Sequence, residues 1–350
     1  MKQLIKNITV FLLSICLLTS CSDDDSIESV EDVVIDTNAP LIELEFSTSP
    51  INLQGLDVRF AADIPYDTYE DTQFDIFLPT SDIPTGLVIL IHGGGFTGGD
   101  KTFAYSGNFD AEIVQLLSNN VAVATINYRL IQTNETEGVL KSLNDSKRAL
   151  QFMRYIHNEL NIDKDKIGLF GSSAGASTAL WLAANDDLRE LNSVDPVSQE
   201  SSRVRCIALN ATQSSLNIED RWINDVFGDF NVTIDDLIDD FGTEQFFNFY
   251  GVSSMSEYES PEIDAYRSQI DMLALLSPDD PEIWVTNTGG HNDAPETTGS
   301  WNHHPFHARE ITEFAQAAGV PVVSLYGNPV LFDNTNNEHF PDFFLRKLNE

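Results

Sequence analysis

Ser173 stands at the centre of Gly171-Ser172-Ser173-Ala174-Gly175, directly after the apolar run Ile167-Gly168-Leu169-Phe170 and before a helix-competent stretch through Ala184. A strand, a tight turn and a helix, in that order, are what an exposed nucleophilic hydroxyl needs. The turn holds the serine in a strained backbone conformation that lifts its Oγ above the sheet. Gly171 and Gly175 omit side chains that would collide across that turn. The following helix begins at the serine, so its N-terminal dipole and the Ala174 N–H point at the reacting oxygen. Upstream, the apolar run Gly86 to Ile91 ends in His92-Gly93-Gly94-Gly95-Phe96. Glycines at a strand's end let the backbone approach a ligand closely and turn its N–H groups outward. Together the two elements could attack a carbonyl carbon and hold the negative charge that develops on its oxygen.

Such residues need a rigid frame, and the sequence supplies one. β-type runs occur at Asp75–Leu78, Gly86–Ile91, Val121–Tyr128, Lys166–Phe170, Val204–Leu209, Glu282–Thr286 and Val320–Leu325. Most are short, continuous and apolar, as in strands covered on both faces. Between them Leu140, Leu143, Leu150, Met153, Ile156 and Leu160 recur on one helical face, with Asp145 and Lys147 expected on the opposite side. Alternating strand and helix signals imply an α/β domain with a mostly parallel central sheet flanked by helices. From about residue 210 to 276 the rhythm breaks into short amphipathic pieces rich in Phe, Tyr and Asp. A segment this long is expected to form a helical, cap-like insertion over the sheet.

The chain has 350 residues, with 19 basic and 55 acidic side chains and a net charge of −36. With 42% apolar residues it can bury a real core despite that charge. So large an acidic excess argues against nucleic acid as a partner, since phosphate binding needs a basic stripe and none is visible. At the N-terminus Lys2 and Lys6 precede an apolar run from Ile8 to Leu18, which ends in Leu18-Thr19-Ser20-Cys21. The run is short for a membrane span and matches the core of a signal peptide. A small-residue pair before Cys resembles the lipobox of bacterial lipoproteins, which implies cleavage before Cys21 and lipidation of it. Ser22-Asp23-Asp24-Asp25 resembles the acidic surface-export signal of Bacteroidetes lipoproteins. The expected organisation is a signal peptide over 1–20, an acidic tether over 21–40 and one domain over 41–350. A membrane partner through a lipid anchor in the bacterial cell envelope follows, at the outer membrane and cell surface. Cys206 then stands alone in the mature chain, inside an apolar run where a free thiol packs as a small core residue.

Asp75-Ile76-Phe77-Leu78-Pro79, the segment His92 to Lys101, Asn127-Tyr128-Arg129-Leu130 and the Gly171–Gly175 turn together resemble the α/β-hydrolase fold. The nearest likeness is to esterases related to hormone-sensitive lipase and to bacterial feruloyl and acetyl esterases, over roughly residues 70 to 345. Many of those relatives carry Asp or Glu where Ser172 stands. The resemblance implies oxyanion donors at Gly94, Gly95 and Ala174, with His92 bracing the loop. It also implies a triad in the order Ser, acid, His. His339, after the last β-run and before a C-terminal helix, fills the place of the base. Asp293, in the loop after Glu282–Thr286, fills that of the acid, with Glu296 as the alternative; Asp279 and Asp280 precede that strand. His303, His304 and His307 have helical spacing but no companion ligand set, so they read as solvated-loop and helix-cap positions rather than a metal site. His157 and His291 read as ordinary polar residues. The reading is a serine carboxylesterase acting on small-molecule or glycan esters without metal or organic cofactor. Its competitors are a serine peptidase of the prolyl-oligopeptidase type and a non-catalytic binding protein on the same scaffold. About 70 residues upstream of the hydrolase region are too few for the propeller such peptidases carry.

Overall fold

The computed structural model describes residues 41–350. The expected signal peptide, the expected lipidation site Cys21 and the expected acidic tether lie outside the described residues. A ten-stranded sheet organises the chain: β1 (Phe46–Ser47), β2 (Val58–Pro65), β3 (Gln73–Pro79), β4 (Thr85–Ile91), β5 (Val121–Ile126), β6 (Ile162–Ser172), β7 (Cys206–Asn210), β8 (Glu282–Asn287), β9 (Val322–Gly327) and β10 (Val330–Asp333). Its spatial order is β1-β2-β3-β5-β4-β6-β7-β8-β9-β10. The block from β5 to β9 is parallel, while β1, β2 and β3 on one side and β10 on the other run antiparallel to their neighbours.

Strand alternation divides the core in two. Leu87, Ile89 and Ile91 of β4 face the helices Leu140–Tyr155, Ala174–Ala184 and Pro305–Ala318. Val88 and Leu90 face the other way, against the helices Asp110–Ser118 and Phe340–Leu348. Cys206 is buried in that second core, where burial pushes its thiol pKa up. Both faces being covered explains why β3 to β9 read in the sequence as continuous apolar runs. The edges are different. In β2 the ladder shifts between Ala61 and Ile64, and Asp63 between them has a φ of 55°. That bulge scrambles the alternation a strand would show. β10 is an exposed edge hairpin strand with almost no buried residue to mark it.

The helix Leu140–Tyr155 departs from expectation at Asp145, which is buried rather than solvent-facing. Arg129 is the reason. Its Nε and Nη2 donate to the two carboxylate oxygens at 2.8 and 2.7 Å, and its backbone N–H donates at 2.9 Å. The same guanidinium lies 3.8 Å above the Tyr69 ring. A bidentate pair of this kind fixes the chain leaving β5 onto the helix.

Between β7 and β8 the described chain forms no strand but a π-helical turn, Ile218–Val226, then the helices Ile234–Phe241, Thr243–Tyr250, Met255–Tyr258, Pro261–Gln269 and Met272–Leu275. Phe246, Tyr250 and Tyr258 pack ring to ring at 4.9 to 5.2 Å, giving this segment an aromatic core of its own. It is tied to the segment after β8 at Asp240, which accepts from Trp301 Nε1 at 2.7 Å and, through its carbonyl, from Thr298 Oγ1 at 3.1 Å.

Asp145→Ala removes the buried half of an ion pair and leaves the half-buried Arg129 guanidinium with Glu137 Oε1 at 3.8 Å as its remaining carboxylate. We expect a loss of about 2–3 kcal/mol of unfolding free energy, read from urea denaturation. A shift below 1 kcal/mol would show that the pair does not support the fold.

Candidate active site

Ser173 joins β6 to the helix Ala174–Ala184 at φ 53° and ψ −121°, a region that side chains rarely occupy. The strain is held from three sides. Its own N–H donates to Asn210 O at 2.9 Å. A Cβ on Gly171 would lie 2.1 Å from Gly175 O, and one on Gly175 would lie 2.1 Å from Ile91 O. Across the turn, a Cβ on Gly93 would meet Ser172 O at 2.8 Å and the Ser173 Cβ at 3.0 Å. The glycine loop after β4 is therefore pressed directly onto the turn.

Gly94 and Gly95 have φ of 109° and 59°. Gly94 O accepts the N–H groups of Thr97 and Gly98, both at 3.1 Å, which curls the loop. The Gly94 and Gly95 amides donate to no partner among the described residues. Ala174 opens its helix, where an N–H has no intrahelical acceptor. His92 lies beneath the loop with its ring stacked on Tyr128 at 4.4 Å, and Tyr128 OH donates to His92 O at 2.9 Å. Its Nδ1 sits 2.7 Å from Gly93 O, and burial lowers its pKa.

The imidazole on Ser173 is that of His303. Its Nε2 lies 2.8 Å from Ser173 Oγ. Burial lowers its pKa, which keeps the ring neutral near pH 7 and able to accept a proton. This corrects two expectations, for His303 is no solvated loop residue and His339 does not reach the serine. His339 is exposed, caps the helix Phe340–Leu348, and its ring makes no hydrogen bond among the described residues. The cause lies at the sheet edge. After β9 the chain turns at Gly327 into β10 and runs back along the edge, so it reaches His339 beside the second core, where Phe340 stacks on Phe170. The chain after β8 instead crosses above the sheet through the short helix Thr298–Asn302 and delivers His303.

The other two histidines of that cluster are buried, and each is already in use. His304 accepts from Phe306 N at Nδ1 (3.2 Å) and donates from Nε2 to Asp293 O (2.9 Å). It caps the helix Pro305–Ala318, as a helix-cap reading would have it. His307 accepts from Ser214 N at 3.2 Å and donates from Nε2 to Trp301 O at 2.8 Å. Among the described residues no group of three His, Cys, Asp or Glu side chains converges as metal ligands would.

The carboxylates do not join the pair. Asp293 is exposed and meets the site only through its carbonyl on His304; Glu296 is exposed as well, its N–H donating to Ser300 Oγ at 2.9 Å. No carboxylate is hydrogen-bonded to His303 among the described residues. One signal pointed to His303: His304-Pro305 reads as a helix start, which puts His303 on the connection above the C-terminal ends of the parallel strands.

A cavity of about 500 Å³ opens over Ser173. Its walls are aromatic (Phe96, Trp222, Phe241, Phe246, Phe249) and carboxamide (Gln132, Gln213, Gln245, Asn248, Asn302), and Gly95 lines it beside the serine. Among its lining residues Glu244 alone carries a formal charge.

A family model described as BD-FAE matches residues 74–279, more than half of the 350. The chain belongs to the BD-FAE family. The match runs from β3 through the insertion and stops before β8, so it includes Ser173 and not His303. Among curated proteins, a secreted lipase of Arthroderma benhamiae is 32% identical over 126 residues, 32% of this chain and 23% of its own length. An arylesterase of Saccharolobus solfataricus is 30% identical over 166 residues, 46% of this chain and 48% of its own. The BD-FAE chain thus spans about half or less of the curated relatives it matches. Among solved structures, a truncated carbohydrate esterase from gut microbiota aligns with a TM-score of 0.60 at 17% identity, over 89% of this chain and 99% of that one. An acetyl ester-xyloside bifunctional hydrolase from Caldicellulosiruptor lactoaceticus aligns with a TM-score of 0.52 at 16% identity, over 90% and 91%. These likenesses establish the α/β-hydrolase fold for this BD-FAE protein.

Burial holds the His307 pKa at about 3, against 6.5 for a free imidazole. Between those values the unfolded chain binds a proton that the folded chain refuses, so stability should fall as pH drops from 6.5 toward 3. His307→Gln should flatten that slope by up to about 1.4 kcal/mol per pH unit, measured as urea midpoints between pH 7 and 4.5. An unchanged slope would mean that His307 is not held neutral.

Proposed function

We propose that the protein is a serine carboxylesterase that cleaves uncharged esters. The 2.8 Å contact between Ser173 Oγ and His303 Nε2, on a strained turn beside unengaged backbone amides, carries this reading. Ser173 attacks the ester carbonyl while His303 takes its proton as general base. The amides of Gly94, Gly95 and Ala174 receive the oxyanion; one such donor is worth roughly 3 kcal/mol of transition-state stabilisation. His303 then protonates the leaving alcohol, and water attacks the acyl-enzyme by the same route in reverse. We assign Asp293 to the other nitrogen of His303, where a carboxylate would fix the tautomer and stabilise the imidazolium. Its carbonyl is fastened to His304, the neighbour of His303, and its carboxylate makes no hydrogen bond among the described residues. Hydrogen bonds of this kind often tighten only when substrate binds.

The cavity supports the substrate class. Aromatic and carboxamide walls suit neutral short-chain acyl esters or acetyl and feruloyl groups on glycans, and similarity to a carbohydrate esterase agrees with the latter. We further propose that Cys21 carries a lipid that tethers the enzyme to the cell envelope, facing such substrates.

On short nitrophenyl esters, Ser173→Ala and His303→Ala should each lose about 10⁴-fold or more in kcat/KM. His339→Ala should stay within about twofold of the parent, because its exposed ring makes no hydrogen bond to the serine. The reverse pattern would return the base to His339 and overturn this mechanism. A second expectation concerns charge. A net charge of −36 with Glu244 at the cavity repels anionic substrates at long range. Compared with a neutral ester, an anionic analogue should have a lower kcat/KM in about 10 mM salt, with the gap closing toward about 1 M as screening sets in. Equal rates at low salt would refute it.

A further inference from the structure

The five-residue helix Thr298–Asn302 ends just before His303, and a helix end leaves carbonyls without intrahelical donors. Three buried side chains from three different segments take the carbonyls on either side of His303. His307 Nε2 donates to Trp301 O at 2.8 Å, Gln213 Nε2 to Asn302 O at 2.8 Å, and Asn287 Nδ2 to His304 O at 3.1 Å. Of these, Gln213 also reaches back to the nucleophile's own helix. Its Oε1 accepts from Ser177 Oγ at 2.7 Å, and the Ser177 N–H donates to Ser173 O at 3.0 Å. Asn302 O can only accept, so the amide must turn its NH₂ to that carbonyl and its oxygen to Ser177. Gln213 and Ser177 are both buried, so neither bond is exchanged for water at no cost.

We propose that Gln213 is a positioning residue, a buried strut between the nucleophile helix and the loop carrying the base that sets the separation of Ser173 and His303. The proposal rests on His303 being the base. The strut is short and its two ends are the elements that bear the two reacting groups. Ser173, at its strained turn, has no freedom to follow a displaced imidazole, so a shift of the His303 loop by about 1 Å should cost on the order of 10²-fold in rate.

Gln213→Met keeps the volume and removes both bonds. On a short nitrophenyl ester we expect kcat to fall about 10²-fold with KM within about twofold, and Ser173 phosphonylation by a nitrophenyl phosphonate to slow in parallel. Gln213→Glu keeps the acceptor for Ser177 but, once ionised, has no donor for Asn302 O. It should show the same loss at pH 7.5, with its rate relative to the parent recovering as pH falls and the carboxyl regains a proton. Combining Gln213→Met with His303→Ala should be no slower than His303→Ala alone, because a strut has nothing left to position. Near-parental kcat in Gln213→Met, a rise confined to KM, or a multiplied loss in the double variant would each overturn the proposal. Gln213 lines the cavity, and the last two outcomes would instead make it a substrate contact. An active His303→Ala would overturn the base assignment and this proposal together. That result is distinct from an active Gln213→Met beside an inactive His303→Ala, which removes the strut alone.

Discussion

Close approach of backbone to backbone around Ser173 is the constraint on which the rest depends. Three positions tolerate no side chain: Gly171 against Gly175, Gly175 against the end of β4, and Gly93 against Ser172. A serine at positive φ is unfavourable by about 1–3 kcal/mol, and it persists only where surrounding structure leaves no alternative. Here β4, β6 and β7 are in register over the residues leading into the turn, and Asn210 at the end of β7 accepts the Ser173 N–H. The central strands and the two glycine motifs are thus one mechanical unit. Its rigidity is what makes a hydrogen bond of 2.8 Å to a distant loop meaningful.

Around that unit two cations, Lys101 and Arg129, turn inward. Lys101 is buried and pairs with Asp63 at 2.7 Å and with the fully buried Asp75 at 3.2 Å. Its backbone N–H donates to Asn127, whose amide in turn holds Asp100 at 2.9 Å. The loop from Gly93 to Asp100 is therefore anchored at its far end by β3 and by the chain leaving β5, and at its near end by His92 on Tyr128. Arg129, two residues beyond Asn127, turns inward to Asp145. The run Asn127-Tyr128-Arg129 acts as a polar bracket that holds the glycine loop against the turn.

Local signals in the sequence carried the strained serine turn, the glycine loop and the strands β3 to β9, because each is encoded within a few residues by glycine placement or by two-sided burial. Long-range partnership was not legible in the same way. His339 occupies a familiar place in chain order, but chain order does not record that β9 folds back into β10 and carries the following residues to the other face. His303 is selected by the path after β8, which depends on Gln213, Asn287 and His307 meeting carbonyls far away in sequence. Asp145 looked solvent-facing because helical periodicity counts apolar residues and has no place for an inward carboxylate met by Arg129. β2 and β10 were hidden for a simpler reason: a bulge and an exposed edge erase the period that marks a strand.

Under the proposed esterase mechanism, the link through Asp240 ties specificity to turnover. One carboxylate on the insertion grips Trp301, two residues before His303, while Phe241 beside it lines the cavity wall. Any lineage that remodels this wall to accept a new alcohol or acyl group also moves the mount of its own imidazole. Changes of substrate should therefore arrive with an initial drop in rate that later substitutions near Trp301 restore, and laboratory evolution restricted to the wall would stall at slow variants. Opening both segments to variation at once is the more productive library design.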